Sequence, residues 1–237
     1  MNKLILTTAA FALTAGMSFA DTVRMGTEGA YKPFNYINDD GELDGFEIHL
    51  GDELCKRAGL TCEWVKNDWD SIIPNLVSGN YDTIIAGMSI TDERDEVIDF
   101  TDPYTQPDPS AYMALSADVN LDGAVIAAQT NTIQSGFVAA SGGTLVEFAT
   151  ADETVAAVRS GEADAVLADL NYLLPIADAD AGLVLLAQQE MIGGGVGMGI
   201  RESDGELRAK FNIAIQSMKA DGSLNALIAE WGVGEKF

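Results

Sequence analysis

The sequence predicts a two-lobed α/β protein. Each lobe should be a mostly parallel sheet flanked by helices, with the chain crossing twice between the lobes. Two observations carry this expectation. The segments VSGNYDTIIAG (77–87) and RSGEADAVLAD (159–169) share one pattern: S-G-x-x-D-x, two branched apolar residues, then alanine. The segments TVRMGT (22–27) and AVIAAQTNTIQSGF (124–137) match as well, each reading as a strand that runs into a polar loop. Strands alternating with helical patterns imply a parallel sheet in each half.

The chain opens MNKLILTTAAFALTAGMSFA. A basic tip at Lys3, an apolar stretch from Leu4 to about Gly16, and the small-residue end Ser18-Phe19-Ala20 spell a secretory signal peptide over 1–20, cleaved before Asp21. The apolar stretch is too short to span a bilayer, so an exported protein is expected. TVRMGT then leads into Glu28 and the loop Tyr31-Lys32-Pro33-Phe34. NDDGEL (38–43) reads as a tight turn. Asp40-x-Glu42-x-Asp44-Gly45 copies the first half of a calcium loop, but position twelve is Gly51 rather than an acid. His49, the only histidine, falls in a helical stretch without a partner for serine–histidine chemistry, so a structural or surface role is expected.

Ile72, Ile73, Leu76 and Val77 form one apolar helical stripe. The glycines Gly79 and Gly161 fit the left-handed position that follows a helix, and the apolar runs after them fit buried parallel strands. Three prolines in DFTDPYTQPDPS (99–110) end the first lobe. In the second lobe, Thr150-x-x-Glu153 is a capping box. That lobe ends near MIGGGVGMGI (191–200), whose glycines lack the G-K-[ST] of a phosphate loop and read as hinge backbone. Leu207, Phe211, Ile215 and Met218 then share one helical face, and SLNALIAEWG (223–232) forms a last short helix; both return to the first lobe. The expected division is 21–108 plus 196–237 for lobe one and 109–195 for lobe two, with Pro107–Tyr112 and Met191–Met198 as the crossing strands.

Acidic residues number 37 against 13 basic, a net charge of −24. Such a surface repels nucleic acid and anionic membranes, so neither is an expected partner. Cys55 and Cys62 are the only cysteines. In an exported chain an even count points to a disulfide; two free buried thiols are the alternative. Without histidine companions they cannot cage zinc, and no metal or cofactor is expected.

Ligands of parallel α/β sheets bind at the carboxyl ends of the strands. Four such ends can be named. The first carries Glu28 and Tyr31, and the second Gly87, Met88 and Ser89 with Arg94 close behind. The third carries Gln129, Thr130, Asn131, Thr132, Ile133 and Gln134, and the fourth Asp169. Facing lobes would join one cation, one anion, hydroxyls and backbone N–H groups, the complement of a zwitterion. Arg94 suits a carboxylate gripped through two parallel hydrogen bonds, with Ser89 and Thr132 completing the grip, and Asp169 suits an ammonium. Arg94 could instead pair with Asp92 or Glu96 on the surface, and Asp169 could instead cap a helix.

YKPF (31–34), GELDGFEIHL (41–50), ELCKRAGLTC (53–62), DWDSIIPNL (68–76), GMSITDER (87–94) and KADGSLNALIAEWG (219–232) together resemble the periplasmic solute-binding proteins (family 3) of ABC transporters for polar amino acids. The likeness is greatest to the lysine/arginine/ornithine and histidine binders, and it covers the whole mature chain. It implies the type II periplasmic binding protein fold, a monomer that delivers its ligand to a membrane permease, and a Cys55–Cys62 disulfide. By position it assigns the ligand's α-carboxylate to Arg94, Ser89 and Thr132, its α-ammonium to Asp169, and its side chain to flanking Tyr31 and Trp69. Ala86 and Gly87 stand where basic-amino-acid binders carry serines, and Ile133 where they carry a second threonine, its backbone N–H remaining. Asn131 replaces a loop glycine, which asparagine tolerates because it enters the left-handed region readily.

Glu28 at the pocket floor and the Gln129 amide favour arginine, lysine, ornithine or a related guanidino compound. Glutamine or another neutral polar amino acid comes next, and acidic amino acids last. The alternative is a periplasmic cyclohexadienyl-type dehydratase on the same fold, for which Glu28 would be the acid.

Overall fold

A computed structural model describes residues 22–237. The expected signal peptide lies outside the described residues. The first lobe begins with β1 (Val23–Thr27), then a small antiparallel sheet of β2 (Ala30–Tyr31), β3 (Asn35–Ile37) and β4 (Leu43–Asp44). The tight turn expected at NDDGEL joins β3 to β4 and is closed by Asn38 N–H donating to Glu42 O at 2.8 Å. α1 (Phe46–Arg57) buries Phe46, Leu50 and Leu54, spaced one helical turn apart. His49, on the opposite face, is exposed beside Asp44, 3.1 Å from its Oδ1.

β5 (Cys62–Lys66), α2 (Ile72–Val77), β6 (Thr83–Ile84), the single-turn α3 (Asp92–Asp95) and β7 (Asp99–Phe100) complete the first pass. The expected stripe on α2 holds only in part. Ile72 and Leu76 are buried and Ile73 is partly so, but Val77 is 52% exposed. The helix ends there after six residues.

The second lobe contains β8 (Ser110–Ala114), β9 (Val125–Gln129), α4 (Ile133–Ser141), β10 (Thr144–Phe148), α5 (Ala151–Ser160), β11 (Ala165–Asp169), α6 (Leu170–Ala179) and β12 (Val184–Glu190). α5 carries the capping box: Thr150 accepts from Glu153 N–H while the Glu153 side chain accepts from Thr150 N–H. The chain returns through β13 (Gly199–Ile200), α7 (Gly205–Asp221) and α8 (Ser223–Trp231). α7 buries Phe211, Ile215 and Met218, with Leu207 partly covered, and both helices pack on α1.

The two five-stranded sheets have the same plan. The first has the order β5-β1-β6-β13-β7 and the second β10-β9-β11-β8-β12. Four strands in each run in the same direction, and the fourth in order, β13 or β8, is antiparallel to its neighbours. In both lobes that antiparallel strand is the one the chain enters just after crossing from the other lobe.

The crossings lie side by side. Thr101 N–H donates to Met198 O at 3.0 Å and Tyr104 N–H to Val196 O at 2.8 Å. Ser110 to Tyr112 already pair within the second sheet, so the outward crossing occupies residues 101–109, earlier than the span Pro107–Tyr112. The return crossing runs through the glycine-rich stretch. Gly195 has φ +91°, and a Cβ there would fall 2.8 Å from Thr105 O, so only glycine lets the two crossings approach this closely.

Two devices tie the first lobe together. Arg24 and Arg201 both reach Asp82 Oδ1 at 2.9 Å, joining β1, β6 and the segment after β13. Burial raises the Asp82 carboxyl, but these hydrogen bonds outweigh it and hold the group below the usual carboxylate range. Cys55 and Cys62 are disulfide-bonded, with Cα atoms 6.3 Å apart, linking the last turn of α1 to β5. Neither lines the cavity described below. Closing so short a loop restricts the unfolded chain by about 2.5 kcal/mol on the chain-entropy account. Reduction should therefore lower the denaturation midpoint while leaving ligand affinity unchanged, as chemical denaturation and calorimetry with and without reductant would show.

Candidate functional site

All ten residues assigned to the site from the sequence line one cavity between the two lobes. Glu28, Tyr31, Trp69, Gly87, Ser89 and Arg94 come from the first lobe. Gln129, Thr132, Ile133 and Asp169 come from the second. Ala86 and Gln134 complete the lining.

Arg94 is placed by local sequence. Thr91 caps α3, its hydroxyl accepting from Arg94 N–H at 3.2 Å, which puts Arg94 in the first turn. Its Nη1 donates to Ser89 O at 2.8 Å and its Nη2 to Asn131 O at 3.3 Å, across the cleft. The guanidinium lies 5.4 Å from the Trp69 ring centroid. Among the described residues it forms no ion pair, so the surface pairing with Asp92 or Glu96 does not occur. Burial lowers the Arg94 pKa to about 10, opposed by the charges of Asp169 and Glu93, and the group stays cationic at neutral pH. It is a partly desolvated cation whose donors are met by neutral carbonyls.

Asp169 ends β11 and stands at the N-cap position of α6, yet makes no capping hydrogen bond. Its carboxylate turns to the cavity instead. Oδ2 accepts from Tyr31 OH at 2.8 Å and Oδ1 from Gln134 Nε2 at 2.8 Å. Burial raises its pKa, while those two hydrogen bonds and the Arg94 charge oppose the rise. Gln134, which also donates to Ser110 Oγ at 2.9 Å, stood among the third strand-end residues in the sequence but was assigned no role there. Its signal was the helix start: Thr132 caps α4, so residues 132–135 form the turn that faces the cleft.

Thr132 Oγ1 is fully engaged, donating to Gln129 O at 2.7 Å and accepting from Ser135 N–H. What α4 offers the cavity is therefore its first-turn N–H groups, Ile133 included, which have no intrahelical acceptors. Asn131 sits at φ 57°, the one non-glycine residue at positive φ among those described, so asparagine does occupy the left-handed position. Gly87 has φ +64°, and its N–H donates to the buried Glu47 Oε1 at 2.7 Å. Gly87 thus offers space rather than a free donor.

Glu28, 4% exposed, lines the cavity and accepts from Gln129 Nε2 at 2.7 Å. Burial raises its pKa to about 7, against the Gln129 hydrogen bond and the charge of Lys66. The two aromatics differ from a simple pair of platforms. One face of Tyr31 is stacked on Tyr172 at 4.3 Å, and the Trp69 ring already carries the Arg94 guanidinium. The cavity lining therefore carries one cation, Arg94, and two carboxyl groups, Asp169 and Glu28. Apart from Arg94, no lysine or arginine lines it among the described residues.

The model of bacterial extracellular solute-binding proteins, family 3, matches residues 23–234. The histidine-binding periplasmic protein of Escherichia coli (strain K12) is 32% identical, covering 98% of this chain and 97% of its own. The lysine/arginine/ornithine-binding periplasmic protein of the same strain is 30% identical over 92% of this chain and 91% of its own. A crystal structure of a periplasmic His/Glu/Gln/Arg/opine family-binding protein from Silicibacter pomeroyi, in complex with lysine, is 70% identical. It has a TM-score of 0.87 and covers 89% of this chain and 96% of that one. These relatives are binding proteins located in the periplasm, and the dehydratase alternative is met by a more distant neighbour, an ancestral amino acid-binding protein described as a precursor of cyclohexadienyl dehydratase, at 30% identity and a TM-score of 0.77. The family match and a cleft equipped for a zwitterion lead to one conclusion: the chain belongs to the bacterial extracellular solute-binding proteins, family 3.

Proposed function

We propose that this protein captures a polar L-amino acid between its lobes and delivers it to the membrane permease of an ABC transporter. It acts as a monomer after cleavage before Asp21, with lobe one formed by 21–108 plus 196–237 and lobe two by 109–195. Arg94, with Ser89 and the N–H groups at Thr132 and Ile133, receives the α-carboxylate. Asp169 receives the α-ammonium. Glu28 and Gln129 meet the end of the side chain, between Tyr31 and Trp69. Closure desolvates these charge-assisted contacts and presents both lobes together to the permease.

The observation that carries this reading is the set of charges that line the cavity. Its lining carries a single guanidinium, Arg94, and two buried carboxyl groups, Asp169 and Glu28. That set fits arginine, lysine, ornithine or another guanidino compound first, and glutamine or another neutral polar amino acid second. Acidic amino acids come last, since no second cation waits for their side chain.

Three outcomes are expected. In a thermal-shift screen of amino acids, arginine or lysine should give the largest rise, because ligand at about 1,000 times its dissociation constant adds about 4 kcal/mol to stability. A large shift with glutamate or aspartate alone would overturn the ranking but not the amino-acid assignment. Arg94→Ala should weaken binding by about 30- to 4,000-fold, the equivalent of the roughly 2–5 kcal/mol lost when one partner of a buried charge pair is removed. Calorimetry finding wild-type affinity in the folded variant would remove Arg94 from the role. The third outcome concerns pH. A bound cation lowers the Glu28 pKa again from about 7, so cation binding releases a proton below neutrality. Affinity for arginine, relative to glutamine, should therefore fall between pH 8 and pH 6, by up to about tenfold per pH unit below 7. A pH-independent ratio in titrations at both values would count against contact with Glu28.

A further inference from the structure

The rings of Tyr31 and Tyr172 meet face to face across the cleft. Tyr31 belongs to β2 of the first lobe and Tyr172 to the first turns of α6 in the second. Their centroids are 4.3 Å apart and their planes 7° from parallel. Both are buried, at 8% and 2% exposure. Each hydroxyl is anchored in the second lobe: Tyr31 OH on Asp169 Oδ2 at 2.8 Å and Tyr172 OH on Asp152 Oδ1 at 2.9 Å. Tyr31 lines the ligand cavity. Tyr172 does not; it lines a separate outer groove with Lys32 and Arg159. The stacked pair is therefore the wall between that groove and Asp169.

We propose that Tyr172 is an affinity-determining latch, which holds the lobes closed by stacking on Tyr31 and never touches the ligand. Rotating the lobes apart must separate the stack, wet two aromatic faces and detach Tyr31 OH from Asp169. These contacts exist only in the closed state and so favour it. Apparent affinity scales with the fraction of molecules in the binding-competent state, so a contact outside the cavity tunes affinity without choosing among ligands. Water excluded by the wall also strengthens the hydrogen bonds at Asp169. The latch rests on the cleft being the amino-acid site proposed above.

The test compares Tyr172→Ala and Tyr172→Phe with the parent protein. With L-arginine and L-lysine as probes, Tyr172→Ala should dissociate ligand at least about tenfold faster, with association little changed, as interface contacts act mostly on off-rates. The ranking of amino acids should stay as in the parent. Tyr172→Phe keeps the stack and should restore slow dissociation, which a merely structural need for the Asp152 hydrogen bond would not allow. A ligand-free arm separates this idea from the ligand assignment. Dyes on cysteines introduced at the exposed positions Ser203 and Ala140 report lobe closure by energy transfer. The closed fraction should be lower in Tyr172→Ala than in the parent or Tyr172→Phe. Equal closed fractions, or parental dissociation rates in a folded Tyr172→Ala, would overturn the latch. If the parent bound neither probe, the ligand proposal would fail and the closed fractions alone would decide the latch.

Discussion

One buried carboxylate organises the first lobe. Glu47, in the first turn of α1, has no exposed surface. An ionised acid in such a place is costly unless it is hydrogen-bonded. It accepts from Asn35 Nδ2 at 2.7 Å, from Gly87 N–H at 2.7 Å and from Tyr104 OH. Burial pushes its pKa up, and these three donors oppose the rise. Asn35 in turn accepts from Gly29 N–H at 2.7 Å, which fixes the residue after Glu28. The pocket floor, the binding loop and the outward crossing between lobes therefore share one hydrogen-bonded anchor. None of the three can shift without leaving a buried polar group unpaired.

From that anchor the cleft follows. The strand ends of both sheets face each other because each lobe takes its antiparallel strand directly from a crossing, and the crossings are hydrogen-bonded to each other. Facing strand ends bring the positive Arg94 and the negative Asp169 into one cavity in a chain whose surface is strongly acidic. The general negative field attracts cations from a distance, but salt screens it beyond about 10 Å. Selection inside the cavity rests on short contacts. Arg94 there is held by carbonyls rather than acids, so it keeps the capacity to form a bidentate pair with a carboxylate.

The cavity is also closed by the protein's own cross-lobe bonds. Tyr31 reaches Asp169, Gln129 reaches Glu28, and Arg94 reaches the Asn131 carbonyl. Each of these pairs joins a residue of one lobe to a residue of the other. The surfaces that meet a ligand are thus the surfaces that join the lobes, which couples occupancy to closure.

Much of this was legible in the sequence, because it is written in local rules. Gly79 and Gly161 at φ 79° and 77°, the Thr150–Glu153 capping box, and Phe211, Ile215 and Met218 on one face of α7 each follow from spacings within a few residues. The strand-end rule then gathered nine of the ten candidates that line one cavity, and the family resemblance supplied the tenth, Trp69. Other features were not legible there. Gln134 bonds Asp169 across 35 positions, Glu47 bonds Gly87 across 40, and Tyr172 stacks on a residue some 140 positions away. Val77 matched the helical stripe but faces solvent, since periodicity says which residues share a face and not how far the fold covers it. The sequence by itself determined the elements, their order and the chemistry offered at the strand ends, because propensity, capping and periodicity act over a few residues. Only the tertiary structure decided how each polar group is used. The Thr132 hydroxyl and the Gly87 N–H are spent on protein acceptors, while the Arg94 guanidinium and the Asp169 carboxylate line the cavity, because hydrogen-bond satisfaction in a buried site is settled by neighbours that the fold alone brings together.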